Sequence, residues 1–348
     1  MKLREVNKVT ITILTDNSTD LLLPNSAHAI RPALTKNEKF NLPLPIAEHG
    51  FSALIKISAK SKENEDETNS SKKLRNNKNN TFLFDAGSSQ NGVIHNADIF
   101  GVDFAMIDAV ILSHGHFDHF EGMANILKRI SVSRRTSAGI DLFVHPDAFL
   151  KRWEVYNDGN RAQMPYLDEE HLKKLGAVIH KRTYLTFLPS CESPSLLITG
   201  EIPRETTFEK GFPFQYREDR IGNKTTLVPD PLVRDDQAVV VNVKKKGLVI
   251  LTGCGHSGII NTVNYAKKVT EVNKVHAVIG GFHLPADGGI YEDAIEPTLE
   301  DLQKIDPDYL VPCHCTGWKA ANRIIDIMPE KYLQSSVGTV FSFECTLT

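Results

Sequence analysis

The sequence predicts a layered α/β fold with its reactive residues gathered along one rim. Three observations carry that prediction. Short apolar runs of strand length alternate with stretches whose apolar residues recur at helical spacing. Histidine, aspartate and cysteine side chains fall where the apolar runs end, as in sheets whose strand ends form a site. The chain of 348 residues, 41% hydrophobic and 24% charged, is also long enough to bury a sizeable core, and is read as one domain spanning 1–348.

Taken in order, "VTITILTD" is a first strand closing at Asp16 and Asn17, where turn chemistry is the default reading and Asp16 a further pocket candidate. "FSALIKIS" and "TFLFDAG" read as strands on either side of residues 59–80, a polar insertion whose single large apolar residue is Leu74. Such a segment buries too little surface to offset its ordering entropy, so a mobile hairpin tip is expected there. "IDAVILS" (107–113) is a buried strand running into "HGHFDH" (114–119), and Phe120, Met123, Leu127 and Ile130 then recur as on a helix. "DLFVHPDAF" is another strand ending in a histidine, His145. Residues 186–236, rich in Arg, Phe, Tyr and Pro without regular periodicity, are expected to form a loop covering a pocket. Within it Arg204, Arg217 and Arg220 suit phosphate groups, and Phe212, Phe214 and Tyr216 suit a flat ring. "QAVVVNVKKKGLVILTGCGHSG" (237–258) predicts a hairpin turning at Lys244–Gly247, with Cys254 and His256 at its end and a helix from about Ile259. "VHAVIGGFHLP" and "DYLVPCHCTG" repeat the pattern of a buried strand followed by a loop histidine.

Composition narrows the function classes. Forty Lys and Arg against 43 Asp and Glu leave a net charge of −3, which gives no global pull toward nucleic acid or anionic membrane. No apolar run approaches the roughly 20 residues of a membrane span. The opening "MKLREVNKVTITILTD" lacks the apolar region and cleavage site of a secretory signal, so the cytoplasm is the expected compartment. Five cysteines, Cys191, Cys254, Cys313, Cys315 and Cys345, are too sparse for a disulfide framework and imply reduced thiols. There is no Gly-rich phosphate loop of the Walker type. The expected partner is a small-molecule substrate.

The central cluster points to metal chemistry. Residues two apart in an extended segment share a side, so His114 and His116 can grip one cation. Asp118 and His119 stand where the helix begins, and the change of direction turns them toward a second. Imidazole and carboxylate suit zinc, manganese or iron(II), and two such ions about 3.5–4 Å apart form the arrangement used in hydrolysis. Among the other histidines, His283 follows two glycines and is expected in the pocket, with His49 and His145 as further candidates. His28, His95, His171, His180 and His276 are expected at the surface or in structural roles. Cys313 and Cys315, if extended, share a face away from His314 and are read as structural.

"SHGHFDH", preceded by "FLFDAG" and followed by the later loop histidines, resembles the metallo-β-lactamase superfamily. "AEHGFSALI", "HPDAF", "GEIPRETTFE", "DDQAVVV", "LTGCGHSGI", "IGGFHL" and "VPCHCTG" together resemble its dihydropterin–ribofuranosylaminobenzene phosphate synthase-like subfamily. The resemblance implies a four-layered αββα sandwich with a dinuclear site at one edge. It implies His114, His116, Asp118, His119 and His314 as ligands, with Asp85 bracing their loop by hydrogen bonds. The middle of the site departs from the common pattern: Cys254 stands where many members carry a bridging aspartate, and His256 follows it. His256 is expected as a ligand, and Cys254 as a small buried residue behind the ligands. Histidine at 116, where diiron members usually carry glutamate, favours non-redox ions.

Two divalent ions are therefore expected, zinc ahead of manganese or magnesium. Asp118 and His283 are the catalytic candidates, and His49, His145 and Arg204 the substrate contacts. The leading reading is a hydrolase acting on a phosphoester or related bond of a small aromatic or ribosyl phosphate. The alternatives are a transferase condensing a dihydropterin pyrophosphate with ribofuranosylaminobenzene phosphate, as in methanopterin-type biosynthesis, and a non-catalytic metal-binding protein.

Overall fold

Strand alternation decides the central layers. Val9, Ile11 and Ile13 face one way along Lys8–Thr15 and Leu14 the other, and Ala53, Ile55 and Ile57 alternate in the same way with Leu54. The same division separates Val239, Val241 and Val243 from Val240, and Val249 and Leu251 from Leu248 and Ile250. One face of each strand thus enters a core shared by two sheets, while the opposite face packs on helices. The computed structural model describes residues 2–58, 79–135, 138–189, 193–222, 224–285 and 289–345.

The first sheet runs in the order Ala177–Lys181, Ile140–Val144, Ala109–Ile111, Asn80–Phe84, Ser52–Ser58, Lys8–Thr15, Val340–Glu344 and Ala29–Ile30. The second runs Thr186–Leu188, Leu196–Ile198, Val239–Val243, Gly247–Leu251, Val275–Gly280 and Tyr309–Pro312, with Glu5–Val6 beside Val239–Val243. Met123, Ile126, Leu127 and Ile130 of the helix Met123–Arg134 cover the first sheet, together with Val93 and Ala97 of Gly92–Ile99. The second is covered by Ile259–Thr270, Ile290–Ile305 and Trp318–Ile327 through Val263, Ile295, Leu299 and Ile324. Helix, sheet, sheet and helix are the four layers expected.

The hairpins flanking the insertion and at 237–258 both form. Ser52–Ser58 and Asn80–Phe84 pair from Ala53↔Phe84 to Ile57↔Asn80; the insertion, expected at 59–80, lies outside the described residues except for its last two. Val243 pairs with Gly247, whose φ of +109° closes the tight turn that a side chain would resist. Strands Asn80–Phe84, Ala109–Ile111 and Ile140–Val144 are parallel, as are Gly247–Leu251, Val275–Gly280 and Tyr309–Pro312, so within each set the loops following them emerge at one end of the sheet.

Residues 186–236 depart from expectation. Thr186–Leu188 and Leu196–Ile198 join the second sheet. Gln215–Ile221 and Lys224–Pro229 form a hairpin with Ile221 opposite Lys224, within a separate four-stranded sheet that includes Arg152–Val155 and Arg161–Gln163. Gln215–Ile221 carries charged residues on both faces, Arg217 and Asp219 alternating with Glu218 and Arg220, which erases the apolar alternation by which strands are read. The surviving signal was Gly222, whose φ is +63°.

One buried ion pair ties this outer sheet to the body. Arg152, 1% exposed, donates to both Asp235 oxygens at 2.9 and 2.5 Å and to Asp230 Oδ2 at 3.1 Å, and Asp235 also accepts from Gly115 N at 2.7 Å. Burial alone would raise the Asp235 carboxyl, but Arg152 outweighs it and holds the value at about 2, down from 3.8. Asp235→Asn leaves the buried Arg152 with Asp230 as its one charged partner, and urea unfolding at neutral pH should register a loss of about 2–3 kcal/mol. Because the folded value is depressed, this contribution is complete above 3.8 and is lost as pH falls through about 2. The gap between wild type and variant should therefore close across that window; a gap unchanged there would contradict the assigned ion pair.

Candidate metal centre

The strand Ala109–Ile111 delivers its chain into Leu112, Ser113 and His114, and the helical turn Phe117–Phe120 starts immediately after His116. That reversal splits the motif as expected. His114 and His116 turn to one side and meet His256, with His116 Nδ1 3.1 Å from His256 Nε2 and the rings of His114 and His256 centred 4.8 Å apart. Asp118 and His119 turn to the other side. There Asp118 Oδ2 lies 3.3 Å from His314 Nε2 and 3.6 Å from His119 Nε2. His119 Nε2 in turn lies 3.2 Å from Cys254 Sγ. The six residues read as ligands thus come together in two buried groups. The sulfur of Cys254 stands among the donor atoms of the second group rather than behind them.

Each of four histidines is held by its far nitrogen. Ser113 Oγ lies 2.9 Å from His114 Nδ1, Gln215 Oε1 2.5 Å from His116 Nε2, Asp85 Oδ2 2.7 Å from His119 Nδ1, and Asn17 Oδ1 3.2 Å from His314 Nδ1. His114 Nε2 and His314 Nε2 are left buried with no hydrogen-bond partner, facing their clusters. Orphaned buried nitrogens with braced far sides are what metal-ligating imidazoles present, so this donor set fits two divalent ions. Asp85 takes a φ of +60° and also accepts from Ser113 N at 2.7 Å and Ser113 Oγ at 2.8 Å. His314, at φ +50°, is fixed by Asp16 Oδ1 accepting its N–H at 3.0 Å. Backbone strain held at a site in this way requires over-determined surroundings. Asp16 and Asn17 therefore do more than end a strand.

The electrostatics prepare both groups for cations. Burial pushes His114 and His256 well below the ordinary imidazole value, and burial followed by Arg152 brings His116 to about 4, so all three are neutral donors at pH 7. Burial would raise Asp118, but His119 and His314 outweigh it and hold the carboxyl well below its usual range. For His119 burial is likewise overcome, here by Asp118 and Asp85, which raise it to about 9. A cation bound at Nε2 would displace that proton, coupling binding to proton release.

The remaining candidates divide. His49 is at the rim, its Nε2 3.7 Å from Asp118 Oδ2. His283, at φ +45°, centres its ring 3.9 Å from that of His256. Phe212 stands 5.9 Å from the rings of His116, His256 and His283. His145 is buried away from both groups, between Asp147 N at 3.1 Å and Glu201 Oε1 at 3.2 Å. Arg204 donates to the carbonyls of Leu232 and Val233, while its Nη1 is buried without a partner. Arg217 lines a separate cavity of about 160 Å³ with Asp147, Asp230 and Arg234. His28, His95, His171, His180 and His276 join neither group.

Cys315 and Gln215 escape the sequence reading for identifiable reasons. Cys315 does not share a face with Cys313: His314–Thr316 is a single 3-10 turn, and Cys315 Sγ reaches the Cys254 carbonyl oxygen at 3.2 Å, beside His283. Gln215 comes from the outer sheet, 99 positions from His116, and nothing local to "FPFQY" announces the contact.

Comparison with known proteins agrees with this geometry. The sequence profile described as the Metallo-beta-lactamase superfamily matches residues 74–314. A Methanocaldococcus jannaschii protein named 7,8-dihydropterin-6-methyl-4-(beta-D-ribofuranosyl)-aminobenzene-5'-phosphate synthase is 30% identical over 301 residues, covering 85% of this chain and 90% of its own. An uncharacterized protein of the same organism is 32% identical over 298 residues, covering 84% and 93%. Among solved structures, Tm1679, described as a metal-dependent hydrolase of the beta-lactamase superfamily, superposes with a TM-score of 0.66 at 21% identity over 97% of this chain and 99% of its own, a likeness of fold. With two buried donor groups at the rim of an αββα sandwich and a match across most of its length, the chain belongs to the metallo-β-lactamase superfamily.

Proposed function

We propose that the chain is a dinuclear metal-dependent hydrolase acting on a phosphoester or related bond of a small aromatic or ribosyl phosphate. The observation that carries this reading is the pairing of a neutral three-histidine group with a group containing the ionised Asp118. His114, His116 and His256 would hold one ion, and Asp118, His119, Cys254 and His314 the other. Divalent ions held there supply Lewis acidity toward a phosphoryl oxygen and make water acidic enough to attack near neutral pH.

The chain's own groups supply the rest. Asp118, charged and 7% exposed, is the acceptor for a proton leaving an attacking water. His283, its ring inclined against that of His256 and its Nε2 3.4 Å from the Tyr291 hydroxyl, is placed to return a proton to the leaving oxygen. Phe212 offers an apolar wall for a substrate ring, and His49 closes the rim beside Asp118. The unpartnered Nη1 of Arg204 is the cationic donor nearest in role to a phosphate contact.

A second reading, condensation of a dihydropterin pyrophosphate with ribofuranosylaminobenzene phosphate, draws its support from the named activity of the 30% identical relative. Against it stands Cys254. A sulfur donor in the second group favours zinc over the hard ions that a departing pyrophosphate prefers. Incubating the protein with the two pterin-pathway substrates and, separately, with a phosphomonoester and phosphodiester panel separates the readings by product.

Metal content tests the assignment directly. Protein equilibrated with zinc at neutral pH should retain an ion in each group, His116→Ala should lose the first and Asp118→Ala the second, measured by elemental analysis. A chain that rejects both zinc and manganese would sink the site. Asp118→Asn is the sharper kinetic probe, since it keeps the size and one oxygen while removing the charge. Turnover should fall by roughly 10²–10⁴ with the first ion retained. A wild-type rate in that variant would remove the second position from the mechanism.

A further inference from the structure

The thiols hold more donor capacity than the two groups use. The strands Gly247–Leu251, Val275–Gly280 and Tyr309–Pro312 are parallel neighbours in that order, so the loops beyond them lie side by side. Cys254 is on the first of these loops, Gly281 and His283 on the middle one, and Cys315 on the third. A Cβ at Gly281 would stand 2.6 Å from Cys315 Sγ and 2.9 Å from Cys254 Cα. The missing side chain is therefore what lets Cys315 reach across the middle loop toward Cys254. The left-handed His314, at φ +50°, starts the 3-10 turn that aims it there. His283 completes the set: its Nε2 is 3.4 Å from Tyr291 Oη, while its Nδ1 is buried with no partner. One donor atom from each of Cys254, His283 and Cys315 falls within 4.8 Å of the others.

We propose that Cys254, His283 and Cys315 form a cation position of their own, selective for a thiophilic ion such as zinc or cadmium and joined to the second group through the shared sulfur of Cys254. Two sulfurs and one imidazole are a soft donor set that discriminates against magnesium and calcium, and three protein donors leave one coordination position open. The position is additional to the two in the proposed function; it shares Cys254 with that reading and, when filled, occupies the His283 imidazole to which the same reading gives proton return.

Full-length protein kept reduced and titrated with cobalt(II) and with cadmium tests it, with bound metal counted by elemental analysis and thiolate ligation read from the sulfur-to-cobalt charge-transfer band. Wild type should bind one equivalent beyond those in the two histidine-rich groups. Cys315→Ser should lose that equivalent and, with it, two of the three sulfur–cobalt bonds, so about two-thirds of the charge-transfer intensity, while keeping the other ions. His283→Gln keeps both sulfurs and should also lose the equivalent, giving an independent reading should the cysteine variant fold poorly by circular dichroism. Wild type that stops at two ions, or variants that keep wild-type stoichiometry and absorption, would overturn the third position and leave the two-group assignment standing. A wild-type chain that binds no ion would overturn both.

Discussion

Burying ligand atoms so that they stay available is the constraint on which this architecture turns. An imidazole in a dry interior tends to spend both nitrogens on hydrogen bonds, and an unbraced one rotates away from its target. Here the far nitrogens of His114, His116, His119 and His314 are each engaged by a neighbour drawn from a different part of the chain. The near side is thereby left for a cation. Asp85 shows how much backbone this requires. It adopts a left-handed conformation, and its two oxygens receive Ser113 N, Ser113 Oγ and His119 at once. Gly253 is part of the same arrangement, because a Cβ there would collide with the Ser113 hydroxyl.

The sheets serve that constraint by geometry rather than by chemistry. Parallel strands on each side of the sandwich bring loops distant in sequence to one rim, and the interdigitated apolar faces hold that rim in place. Burying a Val, Leu or Ile side chain contributes roughly 1.5–3 kcal/mol, so the many such residues between the sheets hold the loops rigidly enough for buried charges to be tolerated. The ion pair of Arg152 with Asp235 extends the support outward, joining the four-stranded sheet to the backbone of Gly115 between His114 and His116.

Much of this was legible in the sequence, because the strong signals are local. Alternation over "VTITIL" and "FSALIKIS", helical spacing after Phe120 and the compact HGHFDH motif each declare themselves within a dozen residues. The histidines at 256 and 314 are legible through the subfamily motifs that contain them. Cys254 is legible as a site residue but not as a member of a donor group, since a cysteine at a strand end reads equally well as a packing residue. Cys315 was misread because a positive φ at His314 breaks the extended geometry that the reading assumed. Gln215 and Asp235 were invisible as braces, since their partners at 116, 115 and 152 are joined to them only by tertiary structure. The outer hairpin was missed because exposed strands have no apolar face to betray them.

That hairpin carries a consequence for how such a protein can diversify. Gln215 begins the strand and bonds Asp230 through its amide while its oxygen holds His116, and Asp230 receives Arg152. The segment best placed to vary, an exposed two-stranded flap at the mouth of the site, is thus mechanically continuous with a histidine of the first donor group. A lineage or an engineer exchanging it to admit a different molecule would change the bracing of His116 in the same step. Variation is freer at the tip beyond Asp219 and Thr226, where exchange leaves the base of the strands, and with it the anchoring glutamine, in place.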